Sequence, residues 1–379
     1  MTTTTRRSVL GLIGASGAVL ATGALAGAAS AATPGDLRAF DQFLRDQGFS
    51  GSYLFVHRGR TVAAGSYGRA NDAALNGPDT RFAMASVTKL FTAVAIAQLA
   101  QARKIGYGDK LGAFLSGFPA GIAETVTVHH LLTHTSGLGD VFTMPGYLAE
   151  ALSWTSVDQV MNGTTDYIRR ATLGFPPGAG FEYSNAGYHL LGMIVARVSG
   201  QSYYDYVREQ VFRPAGMTST DFYLRPQWHA DPRIAHPYAV QPSGEYLDSI
   251  DRRLYVGTPA GDAFSTCADM ARFARALQGS TLLDAAFTPL TLGGKVPLGP
   301  PTTGPAPAVP PVAFQCYGPM KTLANHQWVT GHSGGAPGTS TDFQMYLDSD
   351  WVSVILSNRD FGAGGVPPWP AKARELITA

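Results

Sequence analysis

Ser86, Val87, Thr88 and Lys89 place a hydroxyl and an amine one helical turn apart, a spacing that can activate a serine. Residues 90–100 follow with apolar side chains at almost every position, so the pattern predicts a helix that runs through the core. Lys89 is then expected to be half-buried, and loss of hydration lowers the pKa of an ammonium group. A helix-capping serine beside a lysine that reaches to water would have the same spacing, so these residues alone leave both interpretations open.

Three later residues carry side chains that could act in the same reaction. Tyr183 and Asn185 belong to a Tyr-Ser-Asn sequence, and His332 lies in the Gly-His-Ser-Gly-Gly sequence of residues 331–335. A phenol with a pKa near 10 can act as a base only where nearby positive charge lowers that value. Taken singly, Tyr183 would more often be a core tyrosine, and Asn185 would cap the helical segment that begins at Ala186.

In this order, Ser-x-x-Lys, then Tyr-x-Asn, then a late His-x-Gly, the chain resembles the serine β-lactamase-like superfamily. That superfamily includes class C β-lactamases, D,D-peptidases of the penicillin-binding type and related esterases. Residues 131–138 and 264–270 also look like connecting segments of these proteins. The resemblance covers nearly all of the chain after its first 31 residues, and the ordered set is far more specific than any one of its parts.

The resemblance implies a role for each of these residues. Ser86 would be the nucleophile, and Lys89 and Tyr183 would carry its proton, with Lys89 supplying most of the positive charge that lowers the pKa of the phenol. Asn185 would bond a substrate amide carbonyl and the lysine. The backbone N–H groups of Ser86 and Gly335 would bind the oxyanion, and each such donor is typically worth about 3 kcal/mol.

His332 departs from the Lys-Thr-Gly sequence found in most β-lactamases. Where those enzymes present a permanent ammonium to a substrate carboxylate, His332 offers an imidazole with an ordinary pKa of about 6.5, mostly neutral at pH 7. The sequence therefore predicts carboxylate recognition that is weak or depends on pH. Efficient β-lactam hydrolysis is correspondingly less expected.

The strand patterns predict one sheet built from both ends of the chain. Residues 52–57 and 61–67 form one expected hairpin, and residues 342–347 and 351–356 form another near the C-terminus. Between them the patterns are mostly helical, as in residues 186–198, 203–211 and 268–277. The expected fold class is α+β, an antiparallel sheet flanked by helices with an inserted helical region, which is also the fold that the resemblance implies.

This interpretation divides the chain into three parts. Residues 36–110 and 255–379 form the α/β part of a hydrolase domain that spans 36–379, and residues 111–254 form its helical part. Residues 296–313 are too rich in proline for a helix or a central strand and are expected to form an exposed loop near the cleft.

Composition and the N-terminus set the outer limits. With 45% hydrophobic and 15% charged residues, the 379-residue chain can bury a large core. Residues 1–31 have the charged, apolar and small-residue parts of an export signal, and the pair Arg6-Arg7 suggests the twin-arginine route, with a membrane anchor as the alternative. Removal of this leader lowers the formal charge from +1 to −1, which does not favour nucleic-acid binding.

Other candidate sites are weaker. Cys267 and Cys316 could pair in an oxidising compartment or remain two buried thiols. His130 and His134 have nearly the spacing of zinc ligands, but the glutamate of the His-Glu-x-x-His motif is missing, so packing is the better explanation and no metal is expected. No cofactor and no membrane span after removal of the leader are expected.

Residues 331–335 also fit the G-x-S-x-G nucleophile elbow of α/β-hydrolases, with Ser333 as the nucleophile. That family requires a histidine after the serine and a helix directly after the elbow. No histidine follows His332, and Ala336, Pro337 and Gly338 come next. The sequence disfavours this alternative.

The function expected from the sequence is an exported serine hydrolase, secreted or periplasmic, that acts through an acyl-enzyme. Its substrate would be a small-molecule or peptide acyl donor, with a cell-wall peptide ending in D-alanyl-D-alanine and a small ester as equal candidates. A class C-like β-lactamase is the alternative, and a non-catalytic penicillin-binding module is an alternative of another class. Transfer to an amine in place of water stays open, as does the oligomeric state.

Overall fold

The computed structural model describes residues 34–299, 312–362 and 365–379. The export signal expected at residues 1–31 lies outside these residues, as does the central part of the proline-rich segment. No helix in the described ranges is long and apolar enough to cross a membrane.

A single antiparallel sheet carries most of the strands, in the order β2-β1-β12-β11-β10-β9-β8-β7, and two short pairs, β3-β6 and β4-β5, lie outside it. The strands are β1 Gly51–His57, β2 Arg60–Tyr67, β3 Phe82–Ala83, β4 Tyr238–Val240, β5 Tyr246–Asp248, β6 Phe264–Ser265, β7 Val296–Leu298, β8 Ala313–Gln315, β9 Met320–Ala324, β10 Gln327–Ala336, β11 Thr339–Tyr346 and β12 Trp351–Ser357.

Helices cover both faces of the sheet and fill the region between β2 and β9. They are α1 Pro34–Asp46, α2 Lys89–Gln101, α3 Ala120–Ala123, α4 Val128–Leu132, α5 Tyr147–Ala151, α6 Thr164–Arg169, α7 Asn185–Ser199, α8 Tyr203–Val207, α9 Arg213–Ala215, α10 Arg225–Ala230, α11 Cys267–Gln278, α12 Phe287–Leu292 and α13 Trp369–Thr378. Short 3-10 helices include Ala85–Thr88, Val141–Thr143 and Ile250–Arg252.

Successive side chains of the central strands point to opposite faces of the sheet, and each face has its own core. Phe55 of β1 and Ile355 of β12 pack with Trp369 of α13 on one face. Leu54 and Val354, their neighbours in the chain, belong to the larger core that contains α2, α7 and α11. Both faces of the central strands are therefore buried, which explains their nearly continuous apolar sequences.

Helix α2 runs through the larger core and is buried everywhere except at Gln98 and Gln101. The Phe91 ring meets the rings of Phe212 and Phe273 edge-on, with centroids 5.0 and 5.1 Å apart. Burial of one such ring stabilises the fold by roughly 1.5–3 kcal/mol. The core helix predicted from the apolar sequence is confirmed, and it begins at Lys89, so that Ser86 lies in the preceding 3-10 helix.

The predicted fold class is confirmed. The two expected hairpins are β1-β2 and β11-β12, and β1 pairs with β12, so the two ends of the chain meet in one sheet. The expectation of an exposed loop over residues 296–313 is wrong at its ends, because β7 and β8 extend the sheet there. Pro297 is tolerated because β7 is the edge strand. The boundaries of the α/β and helical parts stay a prediction.

Candidate active site

Ser86 is presented by a strained turn directly before α2. Ala85 has a φ of 43°, in the left-handed region that a residue with a side chain enters at a cost of about 1–3 kcal/mol. The neighbouring loop holds this conformation, since the Asp262 N–H donates to the Ala85 carbonyl at 3.2 Å. The backbone directly before Ser86 is therefore held by this loop.

Strand β10 approaches the same turn closely, at Gly334. A Cβ added there would lie 2.5 Å from the Met84 carbonyl oxygen and 3.0 Å from the Ser86 nitrogen. The Thr341 hydroxyl of β11 donates to the same Met84 carbonyl at 3.0 Å. Glycine at 334 thus lets the sheet edge contact the turn that carries Ser86.

The Lys89 amine lies at the centre of the site, with none of its side chain exposed. Nζ lies 2.6 Å from Asn185 Oδ1, 2.6 Å from the Ala260 carbonyl oxygen and 3.2 Å from Ser86 Oγ. A neutral amine has two N–H donors and one lone pair. The two short contacts can take the donors, which leaves the lone pair to accept the Ser86 proton.

The electrostatic environment favours this neutral form. Burial lowers the pKa of Lys89 to about 7, although the negative charges of Asp140 and Asp262 oppose the shift. The expectation of a half-buried lysine underestimated its burial, because the loop that supplies the Ala260 carbonyl covers the amine. Near neutral pH the amine can therefore act as a base.

Asn185 connects this lysine to a carboxylate that the sequence did not single out. Its Oδ1 accepts from Lys89, and its Nδ2 donates to Asp140 Oδ2 at 3.0 Å. Ser184, not Asn185, caps α7, because its hydroxyl accepts from the Gly187 N–H at 3.0 Å. The Asn185 amide is thus held in one orientation and is free of the capping role considered for it.

Tyr183 lies beside the same amine, with Lys89 Nζ 4.8 Å from the centre of its ring. Removal of water from the phenol raises the pKa of Tyr183 above its usual value, and contact with the Ser86 hydroxyl lowers it only in part. The expectation that surrounding cations lower this pKa is therefore wrong for the free site, since loss of hydration outweighs the contacts that lower it. Tyr183 is a proton donor here, and 36% of the residue is exposed.

His134 holds the segment that carries Tyr183. Its ring stacks on the Tyr183 ring with centroids 4.4 Å apart, and its Nδ1 accepts from the Ser184 N–H at 3.0 Å. Its carbonyl oxygen accepts from the Glu182 N–H, also at 3.0 Å, and its φ is 58°. Three contacts to consecutive residues make His134 a template for the Tyr-Ser-Asn segment.

His332 is buried, with only 3% exposed. Loss of hydration and the nearby Lys89 lower its pKa to about 4, so the ring is neutral at pH 7. Nδ1 donates to the Ser333 carbonyl at 2.5 Å, which leaves Nε2 as an acceptor. The Tyr183 and His332 rings lie 6.2 Å apart. His332 is thus near the site but supplies no positive charge to it.

The register of β10 and β11 orients the Gly335 backbone. Ala336 and Thr339 close a two-residue turn, so they form a hydrogen-bonded pair, and Gly335 with Ser340 forms a non-hydrogen-bonded one. The Gly335 N–H therefore points away from β11, and Gly335 lines the same cleft as Ser86. Both expected oxyanion donors lie at one cleft.

That cleft has a volume of ≈ 370 Å³ and extends from Ser86 past Asn185 to the end of β10. Apolar side chains form much of its wall: Phe142, Leu148, Leu254, Val256 and Pro337. Four charged residues also line it: Asp140, Arg252, Arg253 and Asp262.

The beta-lactamase family model matches residues 37–376, nearly all of the described chain. The chain belongs to the beta-lactamase family. Penicillin-binding protein 4* of Bacillus subtilis (strain 168) is 30% identical over 338 residues, which are 82% of this chain and 68% of that protein. These matches support a serine hydrolase of this superfamily.

Solved structures are similar to this beta-lactamase family member over most of their length. A penicillin-binding protein from Bacillus halodurans is 28% identical with a TM-score of 0.75, covering 89% of this chain and 98% of that one. The D-amino acid amidase of Ochrobactrum anthropi SV3 in complex with L-phenylalanine amide has a TM-score of 0.73 at 23% identity, covering 90% and 97%. The second likeness concerns the fold alone.

Other side chains of this family member lie away from the cleft. Ser333 points to the opposite face of β10 from Gly334, where its hydroxyl donates to Asp342 at 2.7 Å. Strand β10 then turns into β11, so no helix follows Ser333 as a nucleophile elbow requires. Cys267 and Cys316 are separate buried thiols. In the described ranges no cluster of three or more His, Cys, Asp or Glu side chains is arranged to hold a metal.

Proposed function

We propose that this protein is an exported serine hydrolase that cleaves a peptide or ester carbonyl through an acyl-enzyme on Ser86. A D,D-carboxypeptidase-like activity on peptides ending in D-alanyl-D-alanine and an esterase activity are the two substrate classes. Export rests on the leader at residues 1–31, and a secreted or periplasmic location follows from it.

One observation carries the proposal: the buried Lys89 amine lies 3.2 Å from the Ser86 hydroxyl with both of its other contacts taken by acceptors. Together with a pKa of about 7, this arrangement supports a neutral amine that removes the serine proton. A base whose pKa lies near the working pH is the most efficient one.

Acylation then follows from the positions of the groups. The Ser86 proton moves to Lys89 while Oγ attacks the carbonyl carbon, and the oxyanion is bound by the Ser86 and Gly335 N–H groups. Tyr183 gives its phenolic proton to the leaving group as the carbon–heteroatom bond breaks, and Lys89 returns a proton to Tyr183. The balance leaves a neutral ester on Ser86 and a protonated leaving group.

Deacylation uses the same residues in reverse. Lys89 and Tyr183 take a proton from water, which attacks the ester carbonyl, and the Ser86 oxygen leaves with a proton from the same pair. Asn185 is positioned by Asp140 to bond the acyl part of the substrate.

The alternative of a class C-like β-lactamase has less support. A neutral His332 cannot replace the ammonium that binds the β-lactam carboxylate in such enzymes, and much of the cleft wall is apolar. A non-catalytic penicillin-binding module would form an acyl adduct that is not hydrolysed.

Intact-mass measurement tests the acyl-enzyme. The protein is mixed with 4-nitrophenyl butyrate or a penicillin, and the burst of 4-nitrophenolate is followed in parallel. We expect an acyl adduct and a burst, both lost in Ser86→Ala and both kept in Ser333→Ala, the matched serine on the opposite face of β10. An adduct that survives Ser86→Ala, or the absence of both adduct and burst in the unmodified protein, contradicts the proposal. A chromogenic cephalosporin and a D-alanyl-D-alanine peptide then separate the substrate classes.

A further inference from the structure

The cleft beside Ser86 contains an arginine, Arg252, that forms no ion pair with another described residue. Arg252 is exposed and lines the cleft with Leu254, Ala336 and Pro337. Two acidic residues that could pair with it are engaged elsewhere. Asp251, the preceding residue, lies 3.0 Å from His229, and Asp262, which also lines the cleft, lies 2.9 Å from Arg253. Across the ranges that the structure describes, Arg252 takes part in no ion pair.

The backbone that presents Arg252 is fixed. The Arg252 N–H donates to the Ser249 carbonyl at 3.0 Å, and the Ser249 hydroxyl donates to the Pro337 carbonyl at 3.2 Å. The next residue, Arg253, is buried and donates to the Thr339 hydroxyl at 2.5 Å. The turn is therefore attached to the end of β10 and the start of β11, directly beyond Gly335.

The other cations near Ser86 cannot bind an anion at neutral pH. Lys89 is buried and has its contacts filled, and His332 is neutral. Arg253 is neutralised by Asp262. Arg252 is thus the cleft cation that remains to attract a negatively charged substrate group.

The position of Arg252 also indicates which part of the substrate it contacts, and this step rests on the proposed function. Tyr183 delivers a proton to the leaving group, so the leaving group lies on the side of Tyr183 and His332. Asn185, which would bond the acyl part of the substrate, lines the same cleft as Arg252. The cleft therefore holds the acyl part of the substrate.

We propose that Arg252 binds a carboxylate on the acyl part of the substrate, at the Pro337 end of the cleft and on the side of the reacting carbonyl remote from His332. The preferred acyl donors would carry a terminal carboxylate beyond an apolar stretch that contacts Leu254 and Val256. This is a different place from the His-x-Gly element, at which the sequence pattern locates carboxylate recognition.

The test compares 4-nitrophenyl adipate, which has a free carboxylate, with 4-nitrophenyl methyl adipate, its neutral methyl ester. Binding of each ester is measured by quenching of tryptophan fluorescence in Ser86→Ala protein, in which no acylation interferes, and kcat/KM is measured in protein that retains Ser86. Arg252→Gln is made in both backgrounds. Arg197→Gln is the control, because Arg197 is exposed at the far end of α7 and does not line the cleft.

We expect Arg252→Gln to lower both the affinity and kcat/KM for the carboxylate ester about tenfold. The same substitution should change these values for the methyl ester less than about twofold. Arg197→Gln should leave the values for both esters unchanged. Equal binding of the two esters by Ser86→Ala protein, or an equal loss for both in Arg252→Gln, overturns the proposal. A carboxylate preference in Ser86→Ala protein without any acyl-enzyme when Ser86 is present would support the Arg252 site while refuting the proposed function.

Discussion

Raising the pH from 6 to 8 is expected to increase the rate of Ser86 acylation about tenfold. The reason is that only the neutral Lys89 amine can accept the serine proton, and its pKa is about 7. For such a group the neutral fraction rises from about one tenth to about nine tenths across these two pH units. Between pH 5 and pH 6 the expected rise is again close to tenfold, because almost all of the amine is protonated there.

The assay is single-turnover release of 4-nitrophenolate from 4-nitrophenyl butyrate, followed at the isosbestic wavelength and corrected with Ser86→Ala protein. Asp140→Asn supplies the decisive comparison. The negative charge of Asp140 raises the pKa of Lys89, so its removal should lower that pKa and move the acid limb of the profile to lower pH. Asparagine can still accept from Asn185 Nδ2, which keeps the geometry of the site.

Three results would refute this reasoning. A rate that does not change between pH 5 and pH 8 would mean that Lys89 is not the titrating base. A midpoint near pH 4 would instead match His332, whose pKa burial lowers to about 4. An acid limb that moves to higher pH in Asp140→Asn would contradict the prediction that Asp140 raises the pKa of Lys89.

Two further substitutions test how the site is held together. Gly334→Ala should lower the acylation rate and destabilise the protein by about 1–3 kcal/mol, because its Cβ would lie 2.5 Å from the Met84 carbonyl oxygen. Gly335→Ala is the control and should preserve the rate and the stability, because the space around its new carbon is open. Equal acylation rates and unfolding temperatures for the two variants would contradict this expectation. His134→Phe keeps a ring against Tyr183 but removes the acceptor of the buried Ser184 N–H, so it should cost about 1–3 kcal/mol and slow acylation more than substrate binding. Chemical denaturation and the separate values of kcat and KM check the second expectation, and a variant with normal stability and rate would argue against it.

The parts of this molecule that follow local patterns could be predicted from the sequence. Runs of apolar residues bounded by turn residues identified both hairpins. Helical patterns of apolar residues identified α2, α7 and α11. The order of Ser86, Lys89, Tyr183 and Asn185 pointed to one site through its resemblance to the serine β-lactamase-like superfamily. The helices and hairpins need only residue type and spacing, whereas the site also required that resemblance.

The remaining features depend on contacts between distant segments. Asp140 is 45 residues from the Asn185 that it orients, and no periodicity or motif marks it as a partner. His134 lay in a segment similar to the family and had a zinc-like spacing to His130, but neither signal indicated its stacking on Tyr183. The pKa values of Lys89 and His332 follow from burial by loops whose paths the sequence does not give. Arg252 likewise becomes notable only when its neighbouring acids are seen to be paired elsewhere.

The pKa of Lys89 near 7 is a balance between two opposed effects. Burial alone would lower the pKa of Lys89 further, and the amine would then be a weaker base because a lower pKa means a lower proton affinity. Asp140 and Asp262 raise the proton affinity again, and Asp140 has the larger effect. That order is what the structure implies, since the Arg253 guanidinium lies 2.9 Å from Asp262 and cancels part of its field, whereas Asp140 is contacted by the neutral Asn185 amide. The Arg253–Asp262 pair therefore limits how far the second carboxylate can raise the lysine pKa, and the loop that carries it also supplies the Ala260 carbonyl that buries the amine.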